Sequence, residues 1–397
     1  MEKINLIYLR SKISKDNREF NSQKEAYENE LKKHFEISKE GKNIFFIESG
    51  GVEEQFKEIY KNYKEPYILL ATNANNSLPA SLEIASFLKH QNLKYELKHA
   101  KAEDIVKVLE ASSKSGSSDN ETIVFKSKLL ENNRYGVVGK PSDWLISSNV
   151  DYKEVKEKFG LELIDVTFEE FKNEIDNANL VIDPLIYKDK INEKVSNKTI
   201  EGAIRIYSAL YSIIKKHNLN GLTVRCFDLL GVYHNTSCLA LALLNEMGYV
   251  ATCEGDIPTM ITMGIIRKEF HKSSFQVNPS YINLEDRIGY FAHCTIPLDM
   301  CISYQFDTHF ESGLGIGIKG NLNLSKVTVF KIDPKLQKYE VFAGQIVENP
   351  YYKNLCRTQL KIKFDEDISS LVNLPCGNHI VIIKGDYKKE ILSLLSK

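Results

Sequence analysis

The sequence predicts an α/β chain in three parts: two Rossmann-like or flavodoxin-like parallel α/β domains, then a C-terminal, mostly antiparallel β domain. Three observations carry this expectation. Up to about residue 300, short apolar runs rich in β-branched and aromatic residues alternate with segments whose apolar residues recur three or four apart, the mark of βαβ units. Beyond that point the pattern becomes period-two alternation broken by turn residues. Finally, 397 residues at about 150 per domain gives two or three domains, each able to bury a core. The expected divisions are 1–131, 132–300 and 301–397.

Strands of the first part are expected at 4–10 (INLIYLR), 43–49, 67–72 and 94–99, with helices at 53–63 and 78–89 between them. The mixed-sign segment NSQKEAYENELKKH reads as a solvated helix face. The Ser-rich stretch 111–120 reads as a surface loop. In the second part, strands are expected at 134–140, 161–167, 222–230, 249–255 and 287–294 (RIGYFAHC). Helices at 200–217, 237–247 and 258–270 fit between them. The third part supplies strands at 327–332, 338–347, 357–364 and 378–387.

Composition narrows the function. With 52 Lys+Arg against 53 Asp+Glu, the chain lacks the basic footprint of a general nucleic-acid binder. Small molecules and protein partners are the expected ligands. The longest uncharged stretch, 229–245, is too short and too polar to span a bilayer, and the first twenty residues do not read as a secretory signal. A cytosolic, cytoplasmic protein is expected. The seven cysteines (226, 238, 253, 294, 301, 356 and 376) form no C-x-x-C pair and are odd in number, so they read as small buried packing residues, not disulfides or ligands.

Two glycine motifs are decoys. Gly315, Gly317 and Gly320 match G-x-G-x-x-G, but NLNLSKVTVF follows where a dinucleotide fold needs a helix. Gly136-Val-Val-Gly139-Lys140 lacks phosphate-loop spacing and carries Pro141 where the helix should start.

The informative segment is YVATCEGDIPTMITM, 249–263. An apolar strand ends at Cys253, and Glu254 and Asp256 follow at the carboxyl edge, where α/β folds place ligands. Pro258 then opens a helix, which Asp256 is suited to cap. A Glu beside a buried strand needs a partner, because burying it alone costs several kcal/mol. His293 ends the next expected strand and so should reach the same sheet edge as Glu254; His309 and His379 lie in later turns. Carboxylates with imidazoles suit Mn²⁺, Fe²⁺, Zn²⁺ or Mg²⁺.

Together CEGDIPTMITM, FAHCTIP, HFESG, the tetrapeptide Cys356-Arg357-Thr358-Gln359 and the GNH of 377–379 resemble the L-fucose isomerase and L-arabinose isomerase superfamily, in its shorter fucose-isomerase-like branch. SGGVEE (49–54), NSLPASLE (76–83) and GKPSDWLISS (139–148) extend the resemblance over most of the chain, in order. It implies an aldose–ketose isomerase, an intramolecular oxidoreductase working through a metal-stabilised enediol. A divalent metal, most often Mn²⁺, and a homo-oligomer, trimer or hexamer, are implied with it. By motif, Glu254 matches the metal-binding, base-like Glu; His379 matches a late ligand His; and His293 matches the ligand His of arabinose isomerases. The second acidic ligand should fall in 274–279, where Asn278 stands instead, a neutral ligand that cannot accept a proton. Asp256 could then supply the second acid/base group, or the branch has kept sugar binding without catalysis; a metal-dependent aldolase is a further reading. Trp144 is a candidate for stacking on a sugar or for packing at a domain edge, and Arg357 for binding substrate or for a structural ion pair. With His309 they complete the expected substrate-binding set.

Overall fold

The computed structural model describes residues 1–11, 18–111 and 128–396; from residue 112 onward the Ser-rich stretch lies outside them. The first unit runs β1 (Glu2–Leu9), α1 (Arg18–His34), β2 (Phe35–Ile37), β3 (Lys42–Ile47), α2 (Glu53–Ile59), β4 (Tyr67–Ala71), α3 (Ser77–His90), β5 (Tyr95–His99) and α4 (Ile105–Glu110). Its five strands form a parallel sheet in the order β2-β1-β3-β4-β5. The central strand YILLA is buried throughout, as expected when helices cover both faces of a parallel sheet.

The second unit runs β6 (Arg134–Val138), α5 (Tyr152–Phe159), β7 (Glu162–Val166), α6 (Phe168–Asp176), α7 (Asn197–His217), β8 (Gly221–Val224), α8 (Asp228–Tyr233), α9 (Cys238–Glu246), β9 (Val250–Cys253) and α10 (Ile257–Phe270). Its parallel sheet has the order β7-β6-β8-β9.

The third unit runs β10 (Ser274–Asn283), β11 (Ile288–His293), β12 (Ser303–Asp307), β13 (Gly317–Asn321), β14 (Lys326–Ile332), β15 (Tyr339–Glu348), β16 (Thr358–Phe364), α11 (Ser370–Asn373), β17 (Ile380–Lys384) and α12 (Lys388–Leu395). Six of these strands close an antiparallel barrel, β10-β11-β16-β15-β14-β17, which removes the exposed edges an open sheet would leave. The pair β12–β13 is a separate hairpin. The α/β class with an antiparallel C-terminal part is thus the observed architecture. Among the described residues, no helix is long and apolar enough to cross a membrane.

Two expected strands differ. The run 222–230 is strand only to Val224; the chain then turns at Cys226 and enters α8, because Asp228 and its neighbours can satisfy their own backbone as a helix once the sheet edge is passed. RIGYFAHC does not extend the second parallel sheet. It pairs antiparallel with β10 and β16 inside the barrel. Its alternating burial fits either kind of sheet, and position in the chain alone suggested the wrong one. Glycines 317 and 320 sit in β13, consistent with a turn-and-strand role and not a dinucleotide loop.

Buried polar contacts fasten the first unit to the barrel. The His99 ring places Nδ1 3.2 Å from Ala71 O and Nε2 3.2 Å from the Ile282 N–H. Since Nε2 must accept, Nδ1 carries the proton; burial pushes this imidazole down to about 4, so it stays neutral. Asp333 does the charged part. It accepts from Lys335 N at 2.7 Å and lies 3.4 Å from both Lys89 Nζ and His90 Nε2 of α3. Burial raises its carboxyl, but His90 and Lys89 together hold it down at about 2. A depressed carboxyl stabilises the fold above its ordinary range and loses that contribution as pH falls through about 2. Asp333→Asn should therefore cost about 2 kcal/mol in denaturant unfolding at pH 7, with the gap to wild type narrowing below about pH 4.

Candidate active site

The chemistry gathers where β9 ends. Glu254 and Gly255 are both left-handed, at φ 69° and 75°. A Cβ on Gly255 would stand 2.5 Å from Pro141 Cα and 2.7 Å from Lys140 O, so only glycine allows the loop after β6 this close. The Ser142 N–H donates to Glu254 O at 2.9 Å and fixes that approach. For Glu254, which has a side chain, the left-handed backbone costs on the order of 1–3 kcal/mol; such strain clusters at functional sites. The approach delivers Trp144, whose indole N–H donates to Glu254 Oε2 at 2.6 Å and whose ring meets Phe227 edge-on at 4.8 Å.

The barrel supplies the remaining groups. His293 ends β11 and so arrives from a different sheet than its sequence position suggested; its Nε2 lies 3.8 Å from Glu254 Oε1, and Nδ1 is 2.9 Å from Thr295 Oγ1. His379, fully buried just before β17, places Nδ1 2.8 Å from Asp256 Oδ2 and Nε2 3.5 Å from Glu254 Oε1. A carboxylate on Nδ1 fixes the proton there and leaves Nε2 to face Glu254, the arrangement that orients metal-binding histidines. Asn278 comes from β10. Its Oδ1 and the His379 Nε2 are both buried without a hydrogen-bond partner among the described residues. Each such atom costs about 1–3 kcal/mol unless a ligand satisfies it.

Charge is balanced within this cluster. Burial raises the Glu254 carboxyl, but the His379 and His293 imidazoles hold it well below the usual carboxylate range. Burial likewise raises Asp256, and Lys331 with His379 brings it down. Burial opposes the His379 imidazolium, yet Glu254 and Asp256 lift it to about 9, so in the absence of a cation Nε2 is protonated toward Glu254, and that proton has to leave before Nε2 can act as a ligand. The buried Lys331 ammonium donates to His379 O and completes the network.

Glu254, Asn278 and His293 open onto one cavity. Trp144, Phe227 and His309 also line it. His309 Nδ1 lies 3.1 Å from Ser312 Oγ, and its ring is edge-on to Phe227 at 5.4 Å. The other expected residues take different places. Asp256 and His379 stand behind the cavity wall, Asp256 also capping α10 by accepting from Thr259 N at 2.7 Å. Arg357 is not among the lining residues: its Nε donates to Thr308 O at 2.7 Å and lies 3.8 Å from Asp307 Oδ2, which ties β16 to the loop bearing His309. The cysteines are closer to the chemistry than packing required. Cys253 Sγ lies within 4.8 Å of ligand atoms on Glu254 and His293, and 2.7 Å from Cys226 Sγ.

Three acidic residues went unmarked in the sequence. Glu53, at the start of α2, and Glu311, after His309, both line the cavity. Burial pushes Glu53 well above the carboxylate range and Glu311 up to about 7. Glu83 on α3 is structural. Its Oε1 accepts from Ser147 N at 2.7 Å and Ser148 N at 3.0 Å, and its Oε2 accepts from Asn378 N at 2.9 Å. One carboxylate thus gathers NSLPASLE, GKPSDWLISS and GNH at the same wall. A charged residue inside the apolar helix run SLEIASFL was the available signal.

No family model matches the chain. Among curated proteins, it is similar to the sulfoquinovose isomerase of Clostridium sp. (strain MSTE9), 25% identical over 222 residues covering 51% of this chain and 48% of that protein. It is also similar to sulfoquinovose isomerases of Priestia aryabhattai and Priestia megaterium, each 20% identical over 289 residues covering 67% of this chain and 63% of theirs. The match therefore spans about half to just under two thirds of these relatives. They are sugar isomerases at a distance from this chain.

Proposed function

We propose that this chain is an aldose–ketose isomerase of the fucose/arabinose-isomerase kind, acting on a sugar in the cavity beside Glu254 and working in the cytoplasm as a homo-oligomer. The observation that carries the reading is the buried, unpartnered Asn278 Oδ1 lining the same cavity as an ionised Glu254 that faces the His293 and His379 imidazoles. Oxygen and imidazole donors of this mixture fit a divalent cation, Mn²⁺ first among them, which Glu254, Asn278, His293 and His379 would hold. When bound, such a cation polarises the sugar carbonyl and stabilises the enediolate by several kcal/mol.

The chain's own groups do the rest. Glu254, kept ionised by its histidines, takes the proton from C2 and returns it to C1. Trp144 fixes one Glu254 oxygen, which leaves the carboxylate a single orientation toward the cavity. Asp256 acts at one remove, holding the His379 tautomer. The distant sulfoquinovose isomerases support the reaction class; their substrate enters here as one member of a test panel.

The test is metal analysis of purified protein, followed by incubation with Mn²⁺ and a panel of aldoses, sulfoquinovose included, in D₂O. Retained metal and deuterium entering at C2 of at least one aldose are expected, with EDTA abolishing exchange. Protein that retains no metal and exchanges no aldose hydrogen would overturn the isomerase reading.

A further inference from the structure

Isomerisation moves two protons, one between C2 and C1 and one between O2 and O1. Glu254 accounts for the first. The second needs another group able to give and take a proton within the cavity. Asn278 cannot do so. Asp256 stands behind the wall, engaged with His379 and Thr259 N. Two carboxyls remain among the described lining residues, Glu53 and Glu311. Glu53 is 1% exposed, on the first turn of α2. Glu311 is half-buried in the turn that carries His309, and Asn76 Nδ2 donates to its Oε1 at 2.8 Å. Gly50 packs against this pair: a Cβ there would stand 2.9 Å from Asn76 Cβ and 3.8 Å from Glu311 Oε1. Glu311 is thus oriented by one clamp and open to the cavity.

We propose that Glu311 is the second proton-transfer residue of this reaction, serving the sugar's O1 and O2 while Glu254 serves its carbons. The assignment rests on the isomerase reading. As the C2–H pair becomes the C1=C2 bond, Glu254 takes the hydrogen as a proton and the Glu311 acid gives its proton to the aldehyde oxygen. In the second half, Glu254 delivers its proton to C1 and Glu311 takes the one on O2 as the C2 carbonyl forms. Both carboxyls end as they began. Burial raises the Glu311 carboxyl, the Asn76 amide pulls it back, and the nearby Glu254 and Cys294 add to the rise, which leaves it at about 7, with the Cys356 thiol as its other neighbour.

The experiment measures kcat, KM and their pH profiles for wild type, E311Q, E311D and E53Q on the best aldose of the panel, with circular dichroism and metal content alongside. E311Q should keep its fold and its metal, lose about 10²–10⁴-fold in kcat, and lose the limb of the profile near pH 7. E311D should recover part of kcat and the limb at a displaced pH. E311Q within about threefold of wild type, a limb unchanged in E311D, or the collapse appearing in E53Q instead would overturn Glu311 alone. A wild type that isomerises no aldose would overturn the isomerase reading and this assignment with it.

Discussion

Glu254→Gln is expected to abolish C2–H exchange, lowering it by about 10³-fold or more, while the protein still folds. The carboxylate does two jobs that glutamine cannot share. It accepts a proton, worth about 10²–10⁴-fold by itself, and it is the negative centre that His293, His379 and any bound cation face. The amide has nearly the same shape, so Trp144 and the left-handed turn keep their positions and the β9–α10 junction survives. Metal retention should fall with activity, because one charge leaves a ligand set in which Asn278 is already neutral. Deuterium incorporation by NMR, metal content and circular dichroism on the same preparation check all three. Unchanged turnover with a native spectrum would place the base elsewhere.

What was legible in the sequence follows the range of the interactions. The parallel strands could be read because burial on both faces writes itself locally, as in YILLA. The Asp256 cap could be read too, since Asp-x-Pro before an apolar run is a local signature. Strand β10 could not. FQVNPSYIN mixes polar residues with a proline, which argues against a central strand, and the chain accommodates it with a register shift between Pro279 and Tyr281. That strand carries Asn278, so its ligand-like oxygen was suggested only by resemblance. Glu311 stood inside the HFESG motif, but nothing local marked it as a cavity carboxyl, since its partner Asn76 is 235 residues away in the chain. Arg357 shows the converse. Its sequence context allowed a substrate contact or a structural ion pair, and the loop that Asp307 and Thr308 fold over it takes up the guanidinium in the second way.

The role of Asp256 changes most, and its replacement separates the two accounts. Read from sequence, it was a helix cap or a second acid/base group; in the fold it accepts from Thr259 N with one oxygen and faces His379 Nδ1 with the other, 123 residues away. Asp256→Ala should therefore destabilise the protein by about 3–5 kcal/mol, because it strips a helix cap and leaves Lys331 and His379 without their buried counter-charge. Asp256→Asn keeps a capping oxygen and much of the shape, so it should recover most of that stability. Neither variant restores a carboxylate on His379 Nδ1, and metal affinity should drop about 10–100-fold in both, the usual effect of removing such an orienting partner. Saturating metal should then return much of the turnover to Asp256→Asn, because the proton-transfer groups in the cavity are intact. If turnover stays lost at saturating metal while denaturant unfolding and metal binding match wild type, Asp256 acts on the substrate itself, and the wall between it and the cavity must open during the reaction.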